Sequence, residues 1–301
     1  MTVVGAHLAA LEAEAIHIFR EAVAQARNPV MLFSAGKDST VLAHLALRAF
    51  YPSKPTFPLL HIDSTWEFKS LIAFRDSFAQ DNGFRLIVHA NEKGRAAGIN
   101  PFEHGDYYTA SMRTEPLKAA LDEGEFDIIF GGARRDEDRS RAKERVVSIR
   151  NAHHAWDPRQ QRPELWQLYN ARCNRPQTAR VFPLSNWTET DILAYALTRD
   201  IPLAPLYFAA PRSVIERRGT LIVVDDMERM QFEPGDVVSE KKVRFRTLGC
   251  WPVTGAIESR ASDIASVLAE TRAAKVSERH GRLGDGDTGN SLEQKKREGY
   301  F

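Results

Sequence analysis

The segment Ser34-Ala35-Gly36-Lys37-Asp38-Ser39, followed by Thr40, carries the groups needed to hold a chain of phosphates. It comes directly after the apolar run Val30-Met31-Leu32-Phe33 and directly before a helical pattern through Val41, Leu42, Leu45 and Ala49. Gly36, lacking a Cβ, lets the backbone approach a phosphate closely. The N–H groups of Asp38, Ser39 and Thr40 open a helix and point at whatever anion sits there. Ser34, Ser39 and Thr40 add hydroxyl donors, and Lys37 adds a mobile positive charge. The loop is not a Walker A sequence, which would need glycine at Met31 and Ser or Thr at Asp38. No G-x-G-x-x-G turn occurs either.

A second set of anion-binding residues follows the apolar run Phe126–Phe130. Gly131-Gly132 there leaves room for the guanidinium groups of Arg134 and Arg135 to reach into the ligand crevice. Arg139, Arg141, Lys143 and Arg145 read instead as one solvated helix, with Glu137 and Arg141 as an i,i+4 pair. Lys242, Arg244 and Arg246 would share one face of an extended strand, as an anion wall, a partner contact or an exposed charged edge. His153 and His154 lack ligand-spaced partners and read as surface or packing residues, and Cys250 beside Trp251 reads as a packed thiol. Cys173 and Cys250, the two cysteines, have no metal-ligand spacing, so no resident metal is expected.

The elements that must position these groups alternate. Helical spacing over 6–27 is followed by strand patterns at Val30–Phe33, Phe57–Ile62, Phe84–His89 and Phe126–Phe130. Helical patterns at Asp38–Phe50, Glu67–Gln80 and Tyr107–Leu121 separate them. Such alternation predicts an α/β fold with an open, twisted parallel sheet covered by helices on both faces. Ligands then bind beyond the carboxyl ends of the strands, where both loops fall. Order weakens over 151–178, an irregular insertion rich in His, Trp, Arg, Asn and Pro. Val181–Leu184 and a helix at Glu189–Arg199, with Thr188 as its N-cap, restore it. Residues 1–220 are thus expected to form the catalytic domain and 221–301 an irregular C-terminal extension, holding a strand at Leu221–Val224, a helix at Ala261–Ala274 and a glycine-rich tail.

The chain of 301 residues is 43% hydrophobic, enough for a sizeable core without staples. Its 41 basic residues against 40 acidic ones give a net charge of +1, which argues against a broad nucleic-acid footprint. No apolar stretch approaches membrane-spanning length, and the sparse cysteines suit a reducing, cytoplasmic setting.

The first loop resembles the PP-loop of the ATP pyrophosphatases, enzymes that cleave ATP between its α- and β-phosphates. The likeness extends over nearly the whole chain, through His61-Ile62-Asp63, Phe130-Gly131-Gly132-Ala133-Arg134-Arg135-Asp136-Glu137, Gln161–Trp166, Phe182–Glu189, Arg244–Pro252 and the ending Lys295–Phe301. Together these motifs are similar to those of the small subunit of bacterial heterodimeric sulfate adenylyltransferase. The resemblance implies transfer of the adenylyl group of ATP, bound with Mg²⁺, to sulfate, driven by GTP on a larger GTPase subunit. It implies catalytic roles for Lys37, Arg134 and Arg135. ATP would be held by Ser34 to Thr40, His61, Asp63 and Gly132, and further anion or partner contacts made by Arg244 and Arg246. The 151–178 stretch or the tail 281–301 would close over the site or meet the partner. One departure stands out: Asp63-Ser64-Thr65 replaces the family's Asp-Thr-Gly, and threonine takes a positive φ less readily than glycine. The rival readings are an adenylyl-sulfate or phosphoadenylyl-sulfate reductase, a tRNA-modifying PP-loop enzyme, or a nucleotide-binding subunit without turnover. Reductase chemistry needs a cysteine in a mobile C-terminal segment, and the chain has none beyond Cys250.

Overall fold

The computed structural model describes residues 5–274. In chain order these form α1 (Ala6–Gln25), β1 (Pro29–Leu32), α2 (Lys37–Phe50), β2 (Leu59–Asp63), α3 (Lys69–Asn82), β3 (Leu86–Ala90) and the short α4 (Glu92–Ala96). Next come α5 (Pro101–Thr109), a π-helical turn over Ala110–Thr114, α6 (Glu115–Glu123), β4 (Ile128–Phe130), α7 (Arg139–Ala142) and β5 (Val147–Arg150). β6 (Thr178–Val181) and α8 (Glu189–Arg199) complete the first half. β7 (Ala210–Arg217), β8 (Thr220–Val223), β9 (Ser239–Arg244), β10 (Gly255–Glu258) and α9 (Ile264–Ala273) follow.

The central sheet has the order β3-β2-β1-β4-β6-β5, parallel throughout except for β5 at its edge. Each strand but β3 is buried along most of its length, as a sheet covered on both faces requires. One face packs on α1 and α2 through Phe19, Met31, Phe57 and Phe130. The other packs Val30, Leu60 and Ile129 against Leu117 and Leu121 of α6. Successive strands run outward from β1 through β2 to β3, and then the order reverses to β4 on the other side. The loops after β1 and β4 therefore splay apart at the carboxyl edge and open a crevice between them.

Local sequence explains the elements that frame this crevice. α1 buries Leu11, Ala15, Ile18, Phe19 and Ala22, one helical stripe. α3 stops at Gly83, which takes φ +67. Thr188 caps α8 in a reciprocal capping box with Asp191, as the sequence predicts.

The C-terminal extension is more regular than the sequence reading allows. β7 to β10 close into a small antiparallel barrel in the order β10-β8-β7-β9. It begins at Ala210, upstream of the boundary expected at 220, because β7 and β8 form one hairpin with Arg217 opposite Thr220. Residues 151–177 carry only two single turns of 3₁₀ helix and one bridge, in keeping with an irregular insertion. The tail 281–301 lies outside the described residues.

Candidate active site

The loop after β1 turns on Ala35, which takes φ +57, while Gly36 is extended at φ −76. Glycine is needed at 36 for a different reason than backbone freedom. A Cβ there would come 3.3 Å from Tyr207 Oη, and that hydroxyl accepts the Lys37 N–H at 2.8 Å. Thr40 N–H and Oγ1 both donate to Gly36 O, at 2.9 Å each, so Thr40 closes the first helical turn instead of facing a ligand. Asp38 and Ser39 keep N–H groups with no intrahelical acceptor. Ser34 Oγ and Ser39 Oγ lie 3.2 Å apart at the mouth.

Lys37 is 2% exposed, and its ammonium donates to Arg246 O at 3.0 Å beside Asp38 Oδ2 at 3.5 Å. Glu189 Oε1 lies 3.9 Å away, and Glu189 also binds Arg246 Nη2 at 2.6 Å. Three elements thus meet on one cation: α2, α8 and the segment leaving β9. Asp38 accepts Arg134 Nε at 2.6 Å. Burial works against ionising its carboxyl, but Arg134 and Lys37 outweigh burial and hold it below the usual carboxylate range.

The second loop approaches the first through Gly132. A Cβ at that position would lie 3.3 Å from the Asp38 carbonyl carbon and from Ser39 N, so a side chain there would press the start of α2 back by a few tenths of an ångström. Arg134 and Arg135 then diverge. Arg134 is 1% exposed, tied to Asp38 and 3.5 Å from Asp136. Arg135 turns toward Asn186 Oδ1. Neither lines the cleft, whose wall is instead formed by Ser34, Lys37, Ser39, His61, Gly132 and Arg141 together with Arg113, Glu137 and Tyr207. The cavity they enclose is about 240 Å³.

His61 is buried, and its Nδ1 meets Phe33 O at 2.8 Å, so Nδ1 carries the proton and Nε2 presents a lone pair. Burial is the main cause that lowers its pKa, and it stays neutral. Asp63 is not on the cleft wall; its Oδ1 accepts Thr65 N–H at 2.7 Å. Thr65 adopts φ +68, the conformation expected to favour glycine. Its turn is pinned from below, where Tyr108 Oη donates to Ser64 O at 3.2 Å and lies 2.8 Å from Cys250 Sγ. Cys250 is a packed thiol, and Cys173 is buried too.

Arg244 and Arg246 do not share a face, because β9 ends at Arg244. Arg244 binds Glu270 of α9 at 2.8 Å and is structural; Arg246 alone reaches the phosphate loop.

The model of the family described as phosphoadenosine phosphosulfate reductase domain matches residues 28–256. Sulfate adenylyltransferase subunit 2 of Methylococcus capsulatus is 59% identical over 296 residues, 98% of each chain. The protein of the same designation from Rhodospirillum rubrum is 58% identical, covering 98% of this chain and 99% of its own. The chain belongs to the sulfate adenylyltransferase subunit 2 family. Among solved structures, phosphoadenylyl-sulfate reductase from Candida auris is similar at 17% identity and a TM-score of 0.47, over 68% of this chain and 92% of its own. FMN adenylyltransferase of Candida glabrata in complex with ATP is similar at 14% identity and 0.46, over 73% and 70%.

For a member of this family, the residues that sequence reasoning missed are as telling as those it found. Tyr207 and Glu189 act on Lys37 from distant chain positions, and no local pattern marks them. Arg141, expected to be solvated, is buried and lines the cleft, whereas Arg139, Lys143 and Arg145 are exposed as expected. His154 is a packing residue, its Nε2 2.9 Å from Asp122.

Proposed function

We propose that this chain is the nucleotidyltransferase subunit of a sulfate adenylyltransferase, joining sulfate to the adenylyl group of ATP. The observation that carries the reading is the crevice where Lys37 and the open N–H groups of α2 face Gly132 across the sheet's reversal point. In that crevice the β- and γ-phosphates of ATP lie against Ser34, Ser39 and the start of α2, and Mg²⁺ arrives on the nucleotide as part of the substrate. A sulfate oxygen attacks the α-phosphorus; a new P–O bond forms and the bond to the β-phosphate oxygen breaks, releasing pyrophosphate.

Sulfate is ionised at neutral pH, so no general base is required, which suits a neutral His61 as the imidazole on the wall. Catalysis then comes from alignment and from charge placed on the leaving group. Lys37 supplies that charge and the loop N–H groups add to it. Arg134 acts behind them, by fixing Asp38 and thereby the helix start. Arg135, directed at Asn186, is assigned the same supporting part.

The product's mixed anhydride is less stable than the bond broken in ATP, so the forward reaction needs a downhill partner process. The relatives' designation as a second subunit supports a companion chain, and we assign GTP hydrolysis to it. A cytoplasmic setting fits; no helix among the described residues is long and apolar enough to cross a membrane.

Exchange of radiolabelled pyrophosphate into ATP tests the reading. Exchange that requires sulfate is expected; sulfate-independent exchange, or none in the presence of the companion subunit, would reject it.

A further inference from the structure

Arg180 sits within β6 at 1% exposure, yet its Nε, Nη1 and Nη2 all lack a hydrogen-bond partner among the described residues. An unpartnered buried guanidinium is costly enough that native proteins supply a counter-group. The strand register shows what surrounds it. Ser148 lies opposite Arg180 and Thr178 opposite Arg150, so Arg150, Ser148, Thr178 and Arg180 share one face of the sheet. Glu144 takes the Ser148 hydroxyl at 2.9 Å and Arg150 Nη2, and Arg141 Nη1 lies 3.6 Å from its other oxygen. Arg141, Arg150 and Arg180 are thus buried about the carboxylate of Glu144. Burial, with Arg150 and Arg141 repelling, pushes the Arg180 pKa down to about 9, which leaves it charged at neutral pH. Thr178 Oγ1 is a further buried polar atom without a partner.

This face of the sheet also bears Ile129 and Val30, which pack against α6, and the cleft opens beside them. Arg141 belongs to both places: it lines the cleft and reaches Glu144. Arg134 and Arg135 are directed at Asp38 and Asn186 and are not on the cleft wall.

We propose that Arg180, with Arg141 and Arg150, forms a binding site for a tetrahedral oxyanion beside the nucleotide cleft, and that the oxyanion is sulfate. The choice of sulfate rests on the adenylyl-transfer reading; the anion site rests on the geometry alone. The three unpartnered nitrogens of the Arg180 guanidinium match the oxygens of an oxyanion, and Arg141 at the boundary offers the passage from this site to the α-phosphorus. A guanidinium suits the task because its planar fork meets two oxyanion oxygens at once.

The test is equilibrium dialysis of radiolabelled sulfate against the full chain without nucleotide, at ionic strength held constant with chloride. Wild type is expected to bind, Arg180→Met to bind at least about tenfold more weakly, and Arg180→Lys to fall between them. Unchanged sulfate affinity in Arg180→Met overturns the site; if that variant does not fold, unchanged affinity in Arg180→Lys does so. Sulfate bound at Arg180 without sulfate-dependent exchange leaves the site standing and removes the adenylyl-transfer reading. Normal exchange with an unaltered KM for sulfate in Arg180→Met does the reverse.

Discussion

Lys37 is where the demands of folding and of chemistry meet. Its ammonium is buried among Arg246 O, Asp38 and Glu189, which hold it in place before any nucleotide arrives. Removing such a charge from the leaving group lowers turnover, and Lys37→Ala is expected to cost at least about tenfold in rate, about 1.4 kcal/mol, in protein that still folds. Pyrophosphate exchange rates check this. Asp38 makes a prediction in pH. Its folded pKa lies below the ordinary aspartate value of 3.8, so the stability it contributes is present above that value and is lost as pH falls through the folded pKa. Wild type should therefore exceed Asp38→Asn in stability at neutral pH, and the gap should close in strong acid. Urea melts of both proteins across the acid range measure it, and a gap constant with pH would refute the assignment.

The elements around the crevice were partly visible in the residue pattern. Apolar runs after Pro29 and before Gly131 announced β1 and β4, and the helical stripes between them dictated a parallel sheet. Their position fixed both loops at one edge. What the pattern could not announce was contact across chain distance. Gly132 was read as room for arginine, whereas its missing Cβ admits the backbone of α2. Gly132→Ala should displace that helix start and raise the KM for ATP several-fold while the barrel stays folded, as substrate titration and circular dichroism would show. β5 carries no unbroken apolar signature because it is an edge strand in which Ser148 and Arg150 lie opposite Arg180 and Thr178. The turn at Thr65 is a milder case. Its φ of +68 was the conformation doubted for threonine, and it is held by Asp63 from the side and Tyr108 from below. Relief of that strain by Thr65→Gly should leave stability unchanged or raise it by up to about 1 kcal/mol, measured by thermal melting.

The sheet supplies the crevice, and Thr247 and Leu248, just beyond β9, line one side of it. The segment leaving β9 carries Arg246 to Lys37, and Phe245 N–H donates to Leu206 O at 2.9 Å beside it. Composition gave no sign of the barrel, because β7 and β9 carry Arg212, Glu216, Arg217, Glu240, Lys241 and Lys242 among few apolar residues and bury only a short stretch each. Arg244, buried and bound to Glu270 of α9, ties that barrel to the body of the molecule. Glu270→Ala leaves a buried guanidinium without its carboxylate. Since Glu270 is itself partly exposed, the loss should be about 1–2 kcal/mol in a denaturant melt. Turnover per folded molecule should be unchanged, because the pair does not touch the cleft. The turnover outcomes depend on where the new bond forms. The decisive measurement is phosphorus NMR of adenylyl sulfate made from ATP and heavy-oxygen-labelled sulfate, with the companion subunit and GTP present. Attack on the α-phosphorus predicts one heavy oxygen bonded to phosphorus, visible as an isotope shift. A phosphorus bearing only oxygens that came with ATP would contradict it.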